Sequence, residues 1–305
     1  MHINKIILIF FISSIIVFSG CSQEKQNESV SLSVDKEKAF SYVKDIAEIG
    51  PRPSGSAGAT QNVEYICNKL KNLKVDVSTD KWEKNTPVGN IKFCNVIAEI
   101  KGKKSDFIIL GAHYDTKTLQ SVPGFQGAND GASGVGLMLS IIEAIVNSGK
   151  TPYHTIKFAF FDGEECFMKY GPNDGLFGSR RMADKISEEK AKCLMMILLD
   201  MIGDKDLKIE IPAGTDKNLA EMLFQAAEKR GEKKYFTWNE IDMTDDHTPF
   251  LDAGIPAIDI IDFNYGNSNL YWHSAEDTID KISPESLGIV GDVTLEMIMN
   301  NSFEH

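Results

Sequence analysis

The chain has 305 residues, of which 42% are hydrophobic and 25% are charged, and this composition is typical of a globular protein with a large core. The formal net charge is −12, which argues against a nucleic-acid partner, because binding phosphates requires a basic surface. The length that follows residue 35 is within the range of one α/β domain, so we expect a single domain over residues 36–305.

The N-terminal residues predict export. Lys5 precedes an almost wholly apolar run over residues 6–18, and Ser19 and Gly20 follow it, as in a secretory signal. Because Cys21 comes directly after the small pair, residues 1–20 resemble a bacterial lipoprotein signal peptide, although Phe18 stands where leucine is more usual. An uncleaved membrane anchor is the alternative, but spanning a bilayer takes about 20 apolar residues. We therefore expect a cell-envelope lipoprotein with a lipid anchor at Cys21 and a polar, flexible tether over residues 21–35.

Strand-like and helix-like patterns alternate along the rest of the chain. Apolar residues at helical spacing predict helices over residues 39–49, 61–73, 132–146, 219–230 and 283–299. Continuous apolar runs predict buried strands over residues 95–99, 106–111, 155–161, 194–199 and 257–261. This alternation predicts an α/β fold, a three-layer sandwich in which helices cover both faces of a mostly parallel, twisted central sheet.

Metal-binding residue types follow three of the predicted strands. His113, the pair Glu164–Glu165 and Asp200 each come just after a buried run. In a parallel sheet the ligand site lies beyond the carboxyl ends of the strands, so these groups should meet at one edge. Carboxylates and imidazoles are the ligands of open zinc sites, and adjacent glutamates offer one ligand and one free base. The sequence therefore predicts a metalloenzyme.

Six segments carry a resemblance that covers roughly residues 36–300. They are residues 111–115, 127–134, 160–165, 199–203, 245–250 and 272–273. In this order they resemble the zinc exopeptidase family, which contains bacterial aminopeptidases and the glutaminyl-peptide cyclotransferases, or glutaminyl cyclases. One such segment is weak evidence, whereas six across most of the domain are strong evidence.

The resemblance implies a role for each matching residue. The ligands of the zinc that both branches share correspond to Asp130, Glu165 and His273, and the general base corresponds to Glu164. In the aminopeptidase branch His113 and Asp200 complete a second zinc site that Asp130 bridges. The cyclase branch keeps equivalents of these two residues but holds one zinc. We therefore expect one zinc for a cyclase and two for an aminopeptidase.

Local features favour the cyclase branch. The long segment between Glu165 and Gly178, the triplet that begins at Asp245, and Trp272 directly before His273 all resemble cyclases. Against this, Tyr170 stands where animal cyclases carry tryptophan, and residues 278–282 fit aminopeptidases equally well.

The cyclase resemblance implies an enzyme that converts the N-terminal glutamine of peptides or proteins to pyroglutamate and releases ammonia. Asp200 and Asp245 would hold the reacting groups, and Trp272 and Tyr170 would form the wall of the substrate pocket. A two-zinc aminopeptidase is the alternative, and a peptide-binding lipoprotein without catalysis is a weaker one.

Several other groups have structural interpretations. We expect Asp115 to orient His113 and His247 to donate to a nearby carboxylate, and Asp259 and Asp262 could face outward at a strand end. The cysteines after Cys21 contain no Cys-x-x-Cys pair, so zinc binding by thiolates is not expected. We expect free thiols at Cys67, Cys94, Cys166 and Cys193.

Overall fold

A computed structural model describes residues 31–299. The predicted signal peptide and Cys21 therefore lie outside the described residues, as does most of the predicted tether. From Leu32 onward the chain is attached to the domain, because Arg230 donates to the Leu32 carbonyl at 2.6 Å and the Val34 amide donates to Asp292 at 2.8 Å. Within the described residues no helix has the length and apolar character needed to cross a membrane.

The described chain contains eight strands and seven α-helices. The helices are α1 (Lys36–Ala47), α2 (Ala57–Asn72), α3 (Ala132–Ser148), α4 (Phe177–Glu189), α5 (Lys217–Lys229), α6 (Thr248–Asp252) and α7 (Pro284–Met299). The strands are β1 (Asp76–Thr86), β2 (Gly89–Ile100), β3 (Lys104–His113), β4 (His154–Phe161), β5 (Cys193–Asp200), β6 (Ile209–Ile211), β7 (Phe236–Trp238) and β8 (Ala257–Ile261).

The main sheet has six strands in the order β1-β2-β4-β3-β5-β8. The strands β4, β3, β5 and β8 are parallel, whereas the β1–β2 hairpin joins β4 in antiparallel orientation. Strands β6 and β7 form a separate parallel pair. The predicted, mostly parallel sheet is confirmed, with an antiparallel hairpin added at one edge.

Helices cover both faces of the main sheet, as predicted. The larger core lies between the sheet and a layer that includes α1, α3 and α7, and α3 contributes an unbroken buried stretch from Ala132 to Ile142. The smaller core lies on the other face, where Met182 and Ile186 of α4 and Phe250 of α6 pack against the strands. The three-layer sandwich is therefore confirmed.

Helix α3 approaches the sheet so closely that it requires a glycine. A Cβ atom at Gly134 would lie 2.3 Å from the carbonyl oxygen of Leu199, which is the penultimate residue of β5. The contact brings the start of α3 against the carboxyl end of β5. As a result, Asp130, just before α3, comes close to Asp200, the last residue of β5.

Strand β1 was not predicted, and the reason lies in its position. It forms the edge of the sheet, and none of its residues is fully buried. Polar residues therefore occupy most of it, and the apolar run that indicates a buried strand is missing. All of the predicted helices and strands are present, and their ends are displaced by up to six residues.

Candidate metal centre and active site

The carboxyl ends of the parallel strands bring the predicted groups together. His113 is the last residue of β3, Glu164 and Glu165 follow β4, and Asp200 is the last residue of β5. These four side chains are buried, with at most 7% of each residue exposed. The prediction that three strands bring these groups to one edge of the sheet is confirmed.

Asp130, Glu165 and His273 form one cluster of ligand atoms. The Nε2 atom of His273 lies 2.9 Å from Oε1 of Glu165 and 3.1 Å from Oδ2 of Asp130. One ligand atom from each residue lies within 4.8 Å of the others, which is close enough for all three to bind one ion. Glu164 belongs to no such cluster in the described residues, so its carboxylate is left for another role.

His113, Asp130 and Asp200 form a second cluster next to the first. The Nε2 atom of His113 lies 3.2 Å from Oδ1 of Asp130 and 3.2 Å from Oδ1 of Asp200. Asp130 belongs to both clusters, with Oδ1 directed at His113 and Oδ2 at His273. The residue types and geometry could thus accommodate two ions with Asp130 as the bridge.

Several observations fit a cation at the first cluster. Burial opposes protonation of His273, but its contacts with Asp130 and Glu165 raise the pKa of the imidazole to about 10. The site therefore stabilises positive charge where the ligand atoms meet. In addition, Oδ2 of Asp130 and Oε2 of Glu165 are buried and accept no hydrogen bond of good geometry, and a bound ion would satisfy them. Two carboxylates and one imidazole are a typical zinc ligand set.

The backbone of His273 also reflects a constrained site. Its φ angle is 51°, in the left-handed region that residues with a Cβ rarely adopt. The imidazole stacks on the indole of Trp272, with ring centroids 4.0 Å apart. Conformations of this kind are retained where the surrounding structure determines them, and they are common at functional sites.

Asp115 orients His113, as predicted, and also supports the glutamate pair. Its backbone carbonyl, rather than its carboxylate, accepts from Nδ1 of His113 at 3.1 Å, which leaves the Nε2 lone pair directed at the clustered carboxylates. The Asp115 carboxylate instead accepts from the backbone amides of Glu164 and Glu165, at 3.1 and 3.3 Å. Asp115 thus orients both an imidazole and the glutamate pair.

Two supporting residues were missed in the sequence. The Asp277 carboxylate accepts from the amides of Asn129 and Asp130, at 2.7 and 3.2 Å, and so holds the loop before α3. Lys117 places its ammonium 3.2 Å from Oε2 of Glu165 and donates to the carbonyl of Cys166 at 2.6 Å. Residue type and spacing gave no signal for either role, because both depend on contacts between distant segments.

A cavity of about 460 Å³ opens onto the clusters. Trp272 and Tyr170 both line it, as predicted for the pocket wall, and so do Glu164, Asp200 and Asp245. Burial and the charge of neighbouring Glu165 raise the pKa of Glu164 well above its ordinary value. Burial and the charge of Asp200 do the same for the pKa of Asp245. A raised pKa brings a carboxylate closer to the range in which general bases work at neutral pH.

The structural interpretations of His247, Asp259 and Asp262 need correction. Asp259 and Asp262 do not face outward, since both are fully buried. His247 is also buried, and burial lowers the pKa of its imidazole to about 4. Its Nδ1 atom lies 3.8 Å from Asp259, too far for a hydrogen bond, so the predicted donation to a carboxylate is wrong.

The cysteine prediction agrees with the structure for the described residues. Cys67, Cys94, Cys166 and Cys193 are all free. Burial raises the pKa of the Cys94 thiol to about 11. A thiol with a raised pKa is a poor nucleophile and a poor metal ligand near neutral pH.

Comparison with known proteins decides the family of this chain. Residues 95–298 match peptidase family M28. The chain belongs to peptidase family M28. The match covers every predicted metal ligand and Glu164.

Relatives that are similar to this M28 protein include glutaminyl cyclases and zinc-dependent exopeptidases. A glutaminyl-peptide cyclotransferase of Drosophila melanogaster is 26% identical over 269 residues, which cover 79% of this chain and 75% of that protein. The structure of an Acidobacteriales bacterium glutaminyl cyclase is 34% identical with a TM-score of 0.84, covering 91% of this chain and 98% of the other. A zinc-dependent exopeptidase of Parabacteroides distasonis is 27% identical with a TM-score of 0.79, covering 88% and 99%. The M28 protein thus shares its fold with glutaminyl cyclases and with zinc-dependent exopeptidases.

Proposed function

We propose that this M28 protein is a glutaminyl-peptide cyclotransferase that converts N-terminal glutamine to pyroglutamate and releases ammonia. The observation that carries the proposal is the separation of the glutamate pair. Glu165 joins Asp130 and His273 in a ligand cluster, while Glu164 lies outside both clusters and lines the cavity. Solved and curated relatives named as glutaminyl cyclases, which match most of the chain, support the same activity.

Asp130, Glu165 and His273 would hold a zinc ion. The residue types fit zinc, and the M28 family match and the zinc-dependent exopeptidase relative support it. When bound, zinc acts as a Lewis acid that polarises the carbonyl to be attacked. The number of ions is part of this proposal, and we expect one.

The protein's own side chains would then move the proton. Glu164 takes a proton from the α-amine of the substrate as the amine attacks the γ-carbonyl of the glutamine side chain. The same carboxyl group returns the proton to the departing ammonia, so the base is regenerated in each cycle. Glu164 lies in the cavity wall outside both ligand clusters, so its carboxylate is available for both steps.

The other cavity residues would position the substrate. Asp200 and Asp245 lie on the cavity wall and offer acceptors for the α-amine. Trp272 and Tyr170 supply aromatic surface against which the glutamine side chain can fold back on its own amine. Holding the two reacting groups together can lower the activation barrier by several kcal/mol.

An aminopeptidase is the second candidate, and one observation favours it. The cluster of His113, Asp130 and Asp200 could bind a second ion. One solved relative, 26% identical and with a TM-score of 0.79, is named as a leucine aminopeptidase precursor of Bacteroides thetaiotaomicron. In that case Glu164 would activate water, and N-terminal residues would be released.

A binding protein without catalysis is the weakest candidate, because it has no use for a buried base beside a ligand cluster.

A single incubation distinguishes these activities. The purified, zinc-loaded protein is mixed with a peptide that begins with glutamine, and the products are followed by mass spectrometry. We expect the peptide to lose ammonia and keep its full length. Loss of the N-terminal residue would instead identify an aminopeptidase, and an unchanged peptide would contradict both enzymes.

We also propose that the enzyme is exported and attached to a membrane by a lipid at Cys21. The support comes from residues 1–21 of the sequence. More than one acyl chain is needed for stable attachment, and lipidation of an N-terminal cysteine would supply it. Peptide or protein N-termini outside the cytoplasm would then be the substrates.

A further inference from the structure

The segment between β4 and α4 is a tightly organised loop. The Asp174 carboxylate accepts from three successive backbone amides, at 2.7, 2.8 and 3.0 Å, which belong to Phe167, Met168 and Lys169. The backbones of Gly171 and Asp174 also pair in both directions, at 3.0 and 3.2 Å. These bonds fix the backbone on both sides of Tyr170.

The fixed loop places the Tyr170 ring against a glycine. A Cβ atom at Gly175 would lie 2.6 and 2.8 Å from ring carbons of Tyr170, and the φ angle of Gly175 is +76°. Both the space and the backbone conformation therefore require glycine. The ammonium of Lys117 also lies over the ring, 5.7 Å from its centroid. The position of the aromatic ring is thus determined by several neighbours.

The Tyr170 hydroxyl reaches the candidate base. It donates to Oε1 of Glu164 at 2.8 Å. Within residues 31–299 this is the one hydrogen bond that the structure gives to the Glu164 carboxylate. The backbone amide of Glu164 is held by Asp115, so both ends of the residue are fixed.

A glutamate base needs such a contact for a physical reason. The terminal torsion of glutamate has broad minima, so a carboxylate without partners rotates and presents either oxygen in many directions. A donor at Oε1 selects one rotation and leaves Oε2 for the substrate. Near-attack geometry is sensitive to displacements of about 1 Å, so selection of the carboxylate orientation affects the rate.

We propose that Tyr170 is a positioning residue for Glu164, whose hydroxyl holds the base carboxylate in the orientation that accepts the proton of the substrate amine. The inference rests on the proposed function, because it assigns Glu164 the role of base. The positioning role differs from the predicted role of Tyr170 in the pocket wall. A wall requires the aromatic ring alone, whereas positioning requires the hydroxyl. The loop held by Asp174 then serves to deliver this hydroxyl.

The variant Tyr170→Phe separates the two roles, because it keeps the ring and removes the hydroxyl. We expect kcat for a glutamine-initiated peptide to fall by about tenfold to a hundredfold, with KM and the zinc content unchanged. Tyr170→Ala should in addition raise KM, because it also removes the wall. Tyr170→Phe with the kcat of the original protein would overturn the inference.

A matched control excludes a general effect of losing a phenol. Tyr42 in α1 donates to Glu143 at 2.7 Å and does not line the cavity. Tyr42→Phe therefore loses the same kind of bond and should keep kcat, and an equal loss of kcat in both variants would contradict a specific role for Tyr170. Failure of the unmodified protein to form pyroglutamate would contradict the proposed function, whereas pyroglutamate formation with equal rates for the original protein and Tyr170→Phe would contradict this inference alone.

Discussion

At the scale of single residues, the adjacent Glu164 and Glu165 are suited to different roles because their side chains contact different partners. Glu165 meets the imidazole of His273 and the ammonium of Lys117. Glu164 meets a neutral phenol and the open cavity. The same side-chain chemistry is therefore suited to metal binding in one case and to proton transfer in the other.

Replacement of the base tests this division directly. We expect Glu164→Gln to keep the fold and the zinc but to lose about 10²–10⁴-fold in turnover, because the amide has nearly the same shape and cannot accept a proton. Pyroglutamate formation and metal content are measured on the same sample. Glu228→Gln, at an exposed position in α5, is the control and should retain full activity. Near-normal turnover in a zinc-loaded Glu164→Gln protein would refute the assignment.

The number of zinc ions tests the branch of the family. Metal analysis of the purified protein should give about one zinc per chain. His273→Ala should remove that zinc, because it takes away one of three protein ligands, while His113→Ala should leave it bound. Two tightly bound ions that require His113, together with release of free amino acids from peptides, would establish the aminopeptidase instead.

At the scale of elements, an ion-pair network attaches the edge hairpin to the helix that follows the site loop. Asp80 of β1 accepts from Arg181 of α4 at 2.7 and 2.8 Å and from Lys185 at 2.7 Å. Burial of Asp80 favours its neutral form, but the hydrogen bonds from Arg181 and Lys185 outweigh burial and lower the pKa of the carboxyl. Arg181 contacts both oxygens of the Asp80 carboxylate, and such bidentate contacts are the stronger kind of arginine–carboxylate pair.

We expect Asp80→Asn to lower the free energy of unfolding by about 1 kcal/mol at pH 7, a modest value because solvent screens the partly exposed partners. Since the pKa is depressed in the folded state, the contribution is complete above the unfolded pKa of about 3.9 and is lost as pH falls through the lower folded value. Urea denaturation at several pH values measures the difference between the two proteins. That difference should shrink below about pH 4, and a difference that is constant with pH would exclude this ion-pair origin. Asp76→Asn, whose pairing with Lys101 at 3.7 Å is exposed, is the control and should have little effect.

At the scale of the whole molecule, the sequence predicts a globular enzyme attached through its N-terminus. The described chain is attached to the domain from Leu32, where Arg230 also approaches Asp292 and Glu296 of α7. A lipid at Cys21 would therefore leave about ten residues between the membrane and the first contact with the domain. An extended chain of that length spans at most about 35 Å, so the enzyme would act near the membrane surface.

Cell fractionation tests the anchor. In a bacterial host that processes lipoproteins, we expect the protein in the membrane fraction with a mature N-terminus at Cys21. Cys21→Ser should prevent lipidation and processing at this residue, and the membrane form that carries lipid should disappear. Cys67→Ser, at a half-buried position, is the control and should not change the distribution. A mature chain that begins at a different residue would refute the lipoprotein prediction.

The sequence alone determined the features that depend on local pattern. Apolar runs and helical spacing predicted the buried strands and the main helices, because burial on both faces imposes a continuous signal. The order of the strands along the chain then placed His113, Glu164, Glu165 and Asp200 at one edge, because parallel strands end on the same side. The meeting of these groups was predictable for this reason, whereas Asp130 and His273 were indicated as candidate ligands by the family resemblance.

Only the tertiary structure decided which groups touch. The Tyr170 hydroxyl donates to Glu164, and Asp277 accepts from the amide of Asn129 in the loop that precedes α3. Both contacts depend on distances that packing sets. Strand β1 escaped prediction because an exposed edge strand has no apolar run. Asp259 looked like an outward-facing strand residue, yet it is buried, and the groups near it, Asp200, Asp246 and His247, come from other segments of the chain. Local sequence specifies periodicity, whereas contacts between distant segments determine the partners, the pKa and the role of each polar group.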